Sequence, residues 1–360
     1  MTTLKKRLLL LMLLCLVKAA SAQSKLNVCV VGLDHDHIYN ILNAYSKGQV
    51  NIIGIAEPNK ILWSKYGTRF KLPDSVFFED TKKMLAVRKP DVVLGYNAVA
   101  KHVDIVRACA PLGLPVMVEK PLAATLGQAK EIEALSKKHN TKVWVNFETT
   151  WYASNQAAYN TFAADSIGGI RKMVFHDGHE GPIEIGCSKE FTDWLTDPIL
   201  NGAGALNDFG CYGADLATWF MKGQKPIAVT AVTRQYKPQV YPKVDDDATI
   251  LVEYANATVL IEGSWNWPYS IKDMEIFGEK GYIHSLDGNN VVTQLRGKKA
   301  VTRKAPPLPA PINDPLVYLA AALQGKITAD DQSSLAYNMV AMQILDAAKR
   351  SAQTGKRIVL

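Results

Sequence analysis

Between Leu26 and about Phe147 the chain alternates short unbroken apolar runs with stretches of helical period, and few folds accept that alternation. Val28-Cys29-Val30-Val31 reads as a buried strand, followed by a turn at Gly32 and a helix through Ile41-Leu42. Ile52 to Ala56, Val92 to Leu94, Val116 to Val118 and Val143 to Val145 continue the strand series. Leu126, Ala129, Ile132 and Leu135 keep the three-to-four spacing of a helix over Leu126 to Lys138. Strands separated by helices of this length predict right-handed crossovers and a parallel sheet. Apolar runs without alternation predict that both sheet faces are covered. After about residue 147 the strands become amphipathic: Val229 to Gln235, Ala248 to Tyr254, Thr258 to Ser264 and Met274 to Phe277, with a hairpin turn at Asn256. We therefore expect an α/β domain with a parallel sheet over 23–147 and an α+β domain with a mostly antiparallel sheet over 148–360. A proline-rich loop (Pro306, Pro307, Pro309, Pro311) precedes the closing helices, the last over Ser334 to Ser351 and able to pack back on the first domain. An apolar content of 48% supports two sizeable cores.

The first 22 residues read as a signal peptide. Lys5, Lys6 and Arg7 precede an apolar run from Leu8 to Val17, and Ala20-Ser21-Ala22 offers small residues for cleavage before Gln23. The run falls well short of the roughly 20 residues that span a bilayer. Leu14 before Cys15 does not suit a lipobox, and there is no Arg-Arg pair. The expected location is periplasmic or secreted. Without this basic leader the net charge drops from +7 to +3, and the remaining basic residues are scattered, so nucleic acid is not an expected partner. Cys29, Cys109, Cys187 and Cys211 lie far apart and match neither a disulfide framework nor a metal spacing, which predicts free thiols.

The turn Gly32-Leu33-Asp34-His35-Asp36-His37 opens a helix straight after a strand, where helix amides favour an anionic dinucleotide phosphate. It keeps only the first glycine of G-x-G-x-x-G; Asp34 and His37 stand at the other two. Asp34 suits a helix cap but repels pyrophosphate. His35, Asp36 and His37 are expected to splay apart, so no metal is expected there. Glu57, ending the second strand, stands where a carboxylate receives ribose hydroxyls, and no Arg follows to hold a 2′-phosphate, which favours NAD over NADP. Glu119-Lys120-Pro121 lies at the carboxyl edge of the sheet, and Lys120 can donate to a substrate oxygen. Asp208 and Tyr212, four apart in a glycine-rich segment, are able to share a face as an acid/base pair beside Lys120; read without Lys120, they are rather a cap and a packed aromatic.

Glu119-Lys120-Pro121, Asp208-x-Gly210-x-Tyr212-x-x-Asp215, Ile276-Phe277-Gly278-Glu279-Lys280-Gly281 and Ser351-Ala352-Gln353-Thr354-Gly355-Lys356 together resemble the glucose-fructose oxidoreductase and inositol dehydrogenase family over nearly the whole chain after the leader. The resemblance implies a Rossmann domain followed by a large open-faced sheet, and hydride transfer between NAD and a sugar carbinol. Lys120 would polarise the reacting oxygen with help from Asp208, and Tyr212 stands where most members have a histidine. His179 is a second candidate acid/base. His102 matches the histidine after the fourth strand, where Asn97-Ala98-Val99 replaces the usual T-P-N. Trp151 and Trp265 are able to stack on a sugar, with packing the commoner role for each. The expected function is an exported NAD-dependent oxidoreductase on a sugar, glycoside or cyclitol, its cofactor bound tightly and recycled. The alternatives are an NAD-dependent glycosidase or lyase using transient oxidation, and a non-catalytic sugar-binding protein that has lost the cofactor. A carbohydrate is the expected small-molecule partner, and a homodimer or tetramer the expected assembly.

Overall fold

The computed structural model describes residues 25–328 and 331–360, so the leader expected over residues 1–22 lies outside the described residues. Six strands form the first sheet: β1 Asn27–Val31, β2 Asn51–Ala56, β3 Phe77–Phe78, β4 Val92–Gly95, β5 Val116–Glu119 and β6 Val143–Asn146. All its ladders are parallel, in the order β3-β2-β1-β4-β5-β6. The order reverses between β1 and β4, and ligands of such sheets bind beyond the carboxyl ends of the strands at that point. Five helices connect these strands: α1 Ile38–Ser46, α2 Lys60–Phe70, α3 Thr81–Val87, α4 His102–Cys109 and α5 Leu126–His139. Unbroken apolar strands feed two cores at once. Val28 and Val30 of β1 face one cluster with Ile38, Ile41 and Leu42, while Cys29 and Val31 face the other with Val103 and Val106.

The rest of the chain adds α6 Ala153–Ala163, β7 Ile170–Gly178, α7 Lys189–Leu195, α8 Ala205–Asp208 and α9 Gly210–Phe220. Then come β8 Ala228–Arg234, β9 Asp247–Glu253, β10 Thr258–Ser264, β11 Ile271–Gly278, β12 Gly281–Ser285, β13 Asn290–Leu295 and β14 Val301–Lys304. Helices α10 Pro315–Leu323 and α11 Leu335–Thr354 and the edge strand β15 Ile358–Val359 close the chain. The nine strands pair in the order β14-β13-β12-β11-β7-β10-β9-β8-β15. Every ladder is antiparallel except β7 with β10. Period-two alternation puts Met173 and Phe175 of β7 and Val259 and Ile261 of β10 on the inner face against α9, a helix buried throughout its length. The sequence pattern missed β7, because Arg171, Lys172 and His176 break its apolar run on the outer face.

The closing helices belong to both units. Tyr318, Leu319 and Ala322 of α10 pack into the β1/α1 cluster, and α11 joins the other core. Lys349 on α11 donates to the Ala124 carbonyl at 2.8 Å, tying the last helix to the segment after β5. The four cysteines among the described residues are free thiols. None of the described helices is long and apolar enough to cross a membrane.

Candidate active site

The β1 turn is built around one glycine. Gly32 holds φ at +86°, and a Cβ there would sit 2.4 Å from Asn97 Cβ, so the β1 and β4 loops meet only because the side chain is missing. Glu57 at the end of β2 folds onto this turn: Oε2 accepts from the Leu33 amide at 2.9 Å and Oε1 from the Asn59 amide at 2.7 Å. Burial raises the Glu57 pKa despite these amides. Asp34 does not cap α1 as expected. The N-cap position is His37, with no side-chain cap, and Asp34 Oδ1 is buried without a partner. Helix α7 packs over the turn, Trp194 Nε1 donating to the Asp34 carbonyl at 2.9 Å and the Ser188 amide to Asp36 Oδ2 at 2.9 Å. Between turn and helix lies a cavity of about 390 Å3 lined by Gly32, Asp34, Glu57, Asn97, Lys101 and Trp194 among others.

Past the switch point, β5 delivers Glu119 and Lys120. Lys120 Nζ donates to Asp208 Oδ1 at 2.5 Å and to the Asp208 carbonyl at 3.1 Å, and both side chains are about 6% exposed. Trp265 Nε1 donates to the other carboxylate oxygen at 2.9 Å. Trp265 is fully buried, so it positions Asp208 and presents no face for a sugar. Burial opposes both charges, but mutual attraction wins: the Lys120 pKa is raised and the Asp208 pKa lowered. Tyr212 lies with its ring 5.0 Å from Lys120 Nζ and 4.8 Å from Lys272 Nζ. Burial pushes its hydroxyl far above the usual tyrosine range, so it stays a protonated donor. His179 turns an edge to Phe209 at 4.9 Å, and its Nδ1 accepts from the Gly181 amide at 2.9 Å. Burial lowers its pKa, leaving a neutral ring whose proton sits on Nε2.

Lys120, Asp208, Tyr212 and His179, expected together from the sequence, thus form one neighbourhood. Three charged residues that the sequence did not single out join it. Lys272 of β11 pairs with Glu148, and it stands opposite Asp177 of β7 in the ladder. Asp177 is 1% exposed, Oδ2 has no partner, and burial raises its pKa well above the carboxylate range. His102 is fully buried and binds the Leu122 carbonyl through Nδ1 at 3.2 Å, so it pins the segment after Lys120 from behind. His35 and His37 do not splay: their ring centroids lie 4.5 Å apart, and with Glu119 they bring ligand-type atoms within 4.8 Å of one another. Hydrogen bonds occupy both Nδ1 atoms and the Glu119 carboxylate, while His35 Nε2 is buried without a partner. His35 Nδ1 accepts from the His37 amide, which leaves the imidazole proton on Nε2. His37 Nδ1 meets Glu119 Oε2 at 2.8 Å, and Asn146 donates to Oε1 at 2.8 Å. That polarity makes the trio a hydrogen-bonded chain that holds Glu119 in place.

Two family models cover most of the chain. The model of the oxidoreductase family with an NAD-binding Rossmann fold matches residues 26–147, and the model of the GFO/IDH/MocA C-terminal domain matches residues 155–284. The chain belongs to the Gfo/Idh/MocA oxidoreductase family. Its first domain is the family's NAD-binding Rossmann domain. Among its relatives, the trans-1,2-dihydrobenzene-1,2-diol dehydrogenase of Xenopus laevis is 28% identical over 182 residues, a match spanning only 51% of each chain. Inositol 2-dehydrogenase 2 of Saccharopolyspora erythraea is 23% identical over 270 residues, 74% of this chain and 70% of that enzyme. The aldose-aldose oxidoreductase of Caulobacter crescentus, solved with glycerol, superposes with a TM-score of 0.79 over 93% of this chain and 100% of its own, at 21% identity; that likeness shows the fold.

The residues fit the family's dinucleotide, with two departures in the glycine motif. Each Glu57 oxygen keeps a lone pair for a ribose hydroxyl beyond the amide it accepts. Asn97 Oδ1, lining the same cavity, is a buried acceptor without a partner, as a ligand donor requires. The departures are Asp34, a carboxyl where the motif places a glycine against the pyrophosphate, and His37, an imidazole at the third glycine position.

Proposed function

We propose that the protein is an NAD-dependent oxidoreductase acting at a carbinol carbon of a sugar, glycoside or cyclitol. The carrying observation is the buried Lys120–Asp208 pair beside Tyr212, at the sheet edge next to the dinucleotide turn. The named relatives act on a diol, an inositol and aldoses, which supports a polyhydroxylated substrate. When bound, NAD supplies the hydride acceptor or, once reduced, the donor. Lys120 and Tyr212 are both protonated at neutral pH, so they hold and polarise the reacting oxygen as donors. Asp208 and Trp265 are positioning residues, keeping the ammonium aimed and charged. These protonation states favour carbonyl reduction near neutral pH, since oxidation requires a group able to take the carbinol proton.

The residues of the leader support an exported chain whose cofactor is recycled in place, one sugar being oxidised as another is reduced. The test is nucleotide analysis of purified protein followed by a panel of aldoses, cyclitols and glycosides with NAD, monitored by nucleotide absorbance. NAD release or binding with turnover of at least one polyol supports the reading. Sugar binding without any nucleotide binding replaces it with a non-catalytic binding role, the reading that Asp34 favours.

A further inference from the structure

Carboxylates dominate the cavity that the dinucleotide phosphates would enter. Asp34 comes from the β1 turn, Glu57 from the end of β2, Glu79 and Asp80 from the loop before α3, and Asp104 from α4. Glu190 of α7 adds to the field on Asp34, and Lys101 is the one cation lining the cavity among the described residues. Asp34 occupies the place of the second motif glycine. Its carboxyl draws on the backbone amides of Asp34 and Ala98, while Oδ1 is buried and has no partner. An ionised Asp34 would place a bare charge against a pyrophosphate carrying two more, in a partly desolvated site. A neutral carboxyl offers instead an O–H donor, the one thing a phosphate oxygen accepts.

Resting on the NAD reading above, we propose that Asp34 is a cofactor-binding residue that works as a neutral acid: pyrophosphate enters with one proton taken from solvent onto Asp34 Oδ1, which then donates to a phosphate oxygen. The close approach that a glycine would allow is thereby replaced by a side-chain donor, and NAD binding is linked to proton uptake. The surroundings agree. Burial and the facing Glu57 raise the Asp34 pKa to about 7, so the proton is available near neutrality. The neighbouring His35 is buried and held neutral, so it brings no competing charge.

The experiment is calorimetric titration of the purified full chain with NAD between about pH 6 and 9, in two buffers of different ionisation enthalpy so that protons are counted. Wild type should weaken by about tenfold per pH unit above the Asp34 pKa, approaching one proton taken up per NAD. Asp34→Asn, neutral at every pH, should bind with a flat profile and no uptake, and Asp34→Gly should bind more tightly than wild type at the alkaline end. A flat wild-type profile without proton uptake overturns the proposal and leaves the NAD reading intact. A slope that survives in Asp34→Asn also overturns it, as does a slope abolished by Mg2+, which would assign the role to a cation. Failure of wild type and both variants to bind NAD at any pH overturns the NAD reading itself.

Discussion

Single side chains settle most of the chemistry. On the proposed function, Lys120→Met removes the donor for the reacting oxygen, while Lys120 does not line the dinucleotide cavity. Turnover should fall by about 10^2–10^4-fold with NAD affinity within a few-fold, checked by steady-state rates beside calorimetry. Lys120→Met activity near wild type would remove it from the site. Asp208→Asn strands a buried ammonium and should cost about 3–5 kcal/mol in urea unfolding. The Lys120 pKa is raised in the fold, so the pair's stabilisation is complete at neutral pH and fades as pH climbs through the raised value. Carbonyl reduction should fall over that alkaline range while oxidation gains, a crossing visible in initial rates against pH. Asp34 works the other way: ionising near pH 4 when unfolded and near 7 when folded, it penalises the native state increasingly between those values and fully above them. Asp34→Asn should therefore raise the melting temperature at pH 8 and leave it nearly unchanged at pH 4; equal shifts at both would refute that account. At this scale the sequence was legible where residues sit in a local motif, as with Lys120 and Asp208, which the fold pairs. Lys272, Glu148 and Asp177 were not, because a strand register brings them together.

Elements explain that difference. The parallel strands were readable since burial on both faces leaves continuous apolar runs, and β10 matched its expected ends around its apolar Val259-Leu260-Ile261 centre. Strand β7 escaped notice with its outer face charged, yet it carries Asp177 and leads into His179. A slip of one residue between β7 and β11 would move Lys272 to the outer face, so site and ladder are specified together. Helix α7 could not be foreseen as the cover of the dinucleotide turn, since Trp194 and Phe191 reach His35 from more than 150 positions along the chain. Trp194 is 3% exposed, and Trp194→Ala should cost about 3–5 kcal/mol by chemical denaturation. It should also enlarge the cavity mouth and change NAD affinity; a change below ~1 kcal/mol would mean α7 merely rests on the turn.

On the scale of the whole molecule, the two sheets share one of the hydrophobic clusters, and the closing helices reach both cores. Thermal unfolding should accordingly be a single calorimetric transition, and two resolved peaks would show the sheets to be independent. The two-unit plan was visible in the change of strand pattern near residue 147. The embrace of the first unit by the last helices was not, since amphipathic helices do not announce which surface they cover. That embrace also sets a timetable for synthesis. The β1/α1 cluster lacks Tyr318, Leu319 and Ala322 until α10 has been made, and the edge of the second sheet waits for β15. On the ribosome the first-made strands must therefore linger with part of their apolar face uncovered while almost the whole second sheet is synthesised, until Pro315–Leu323 has emerged.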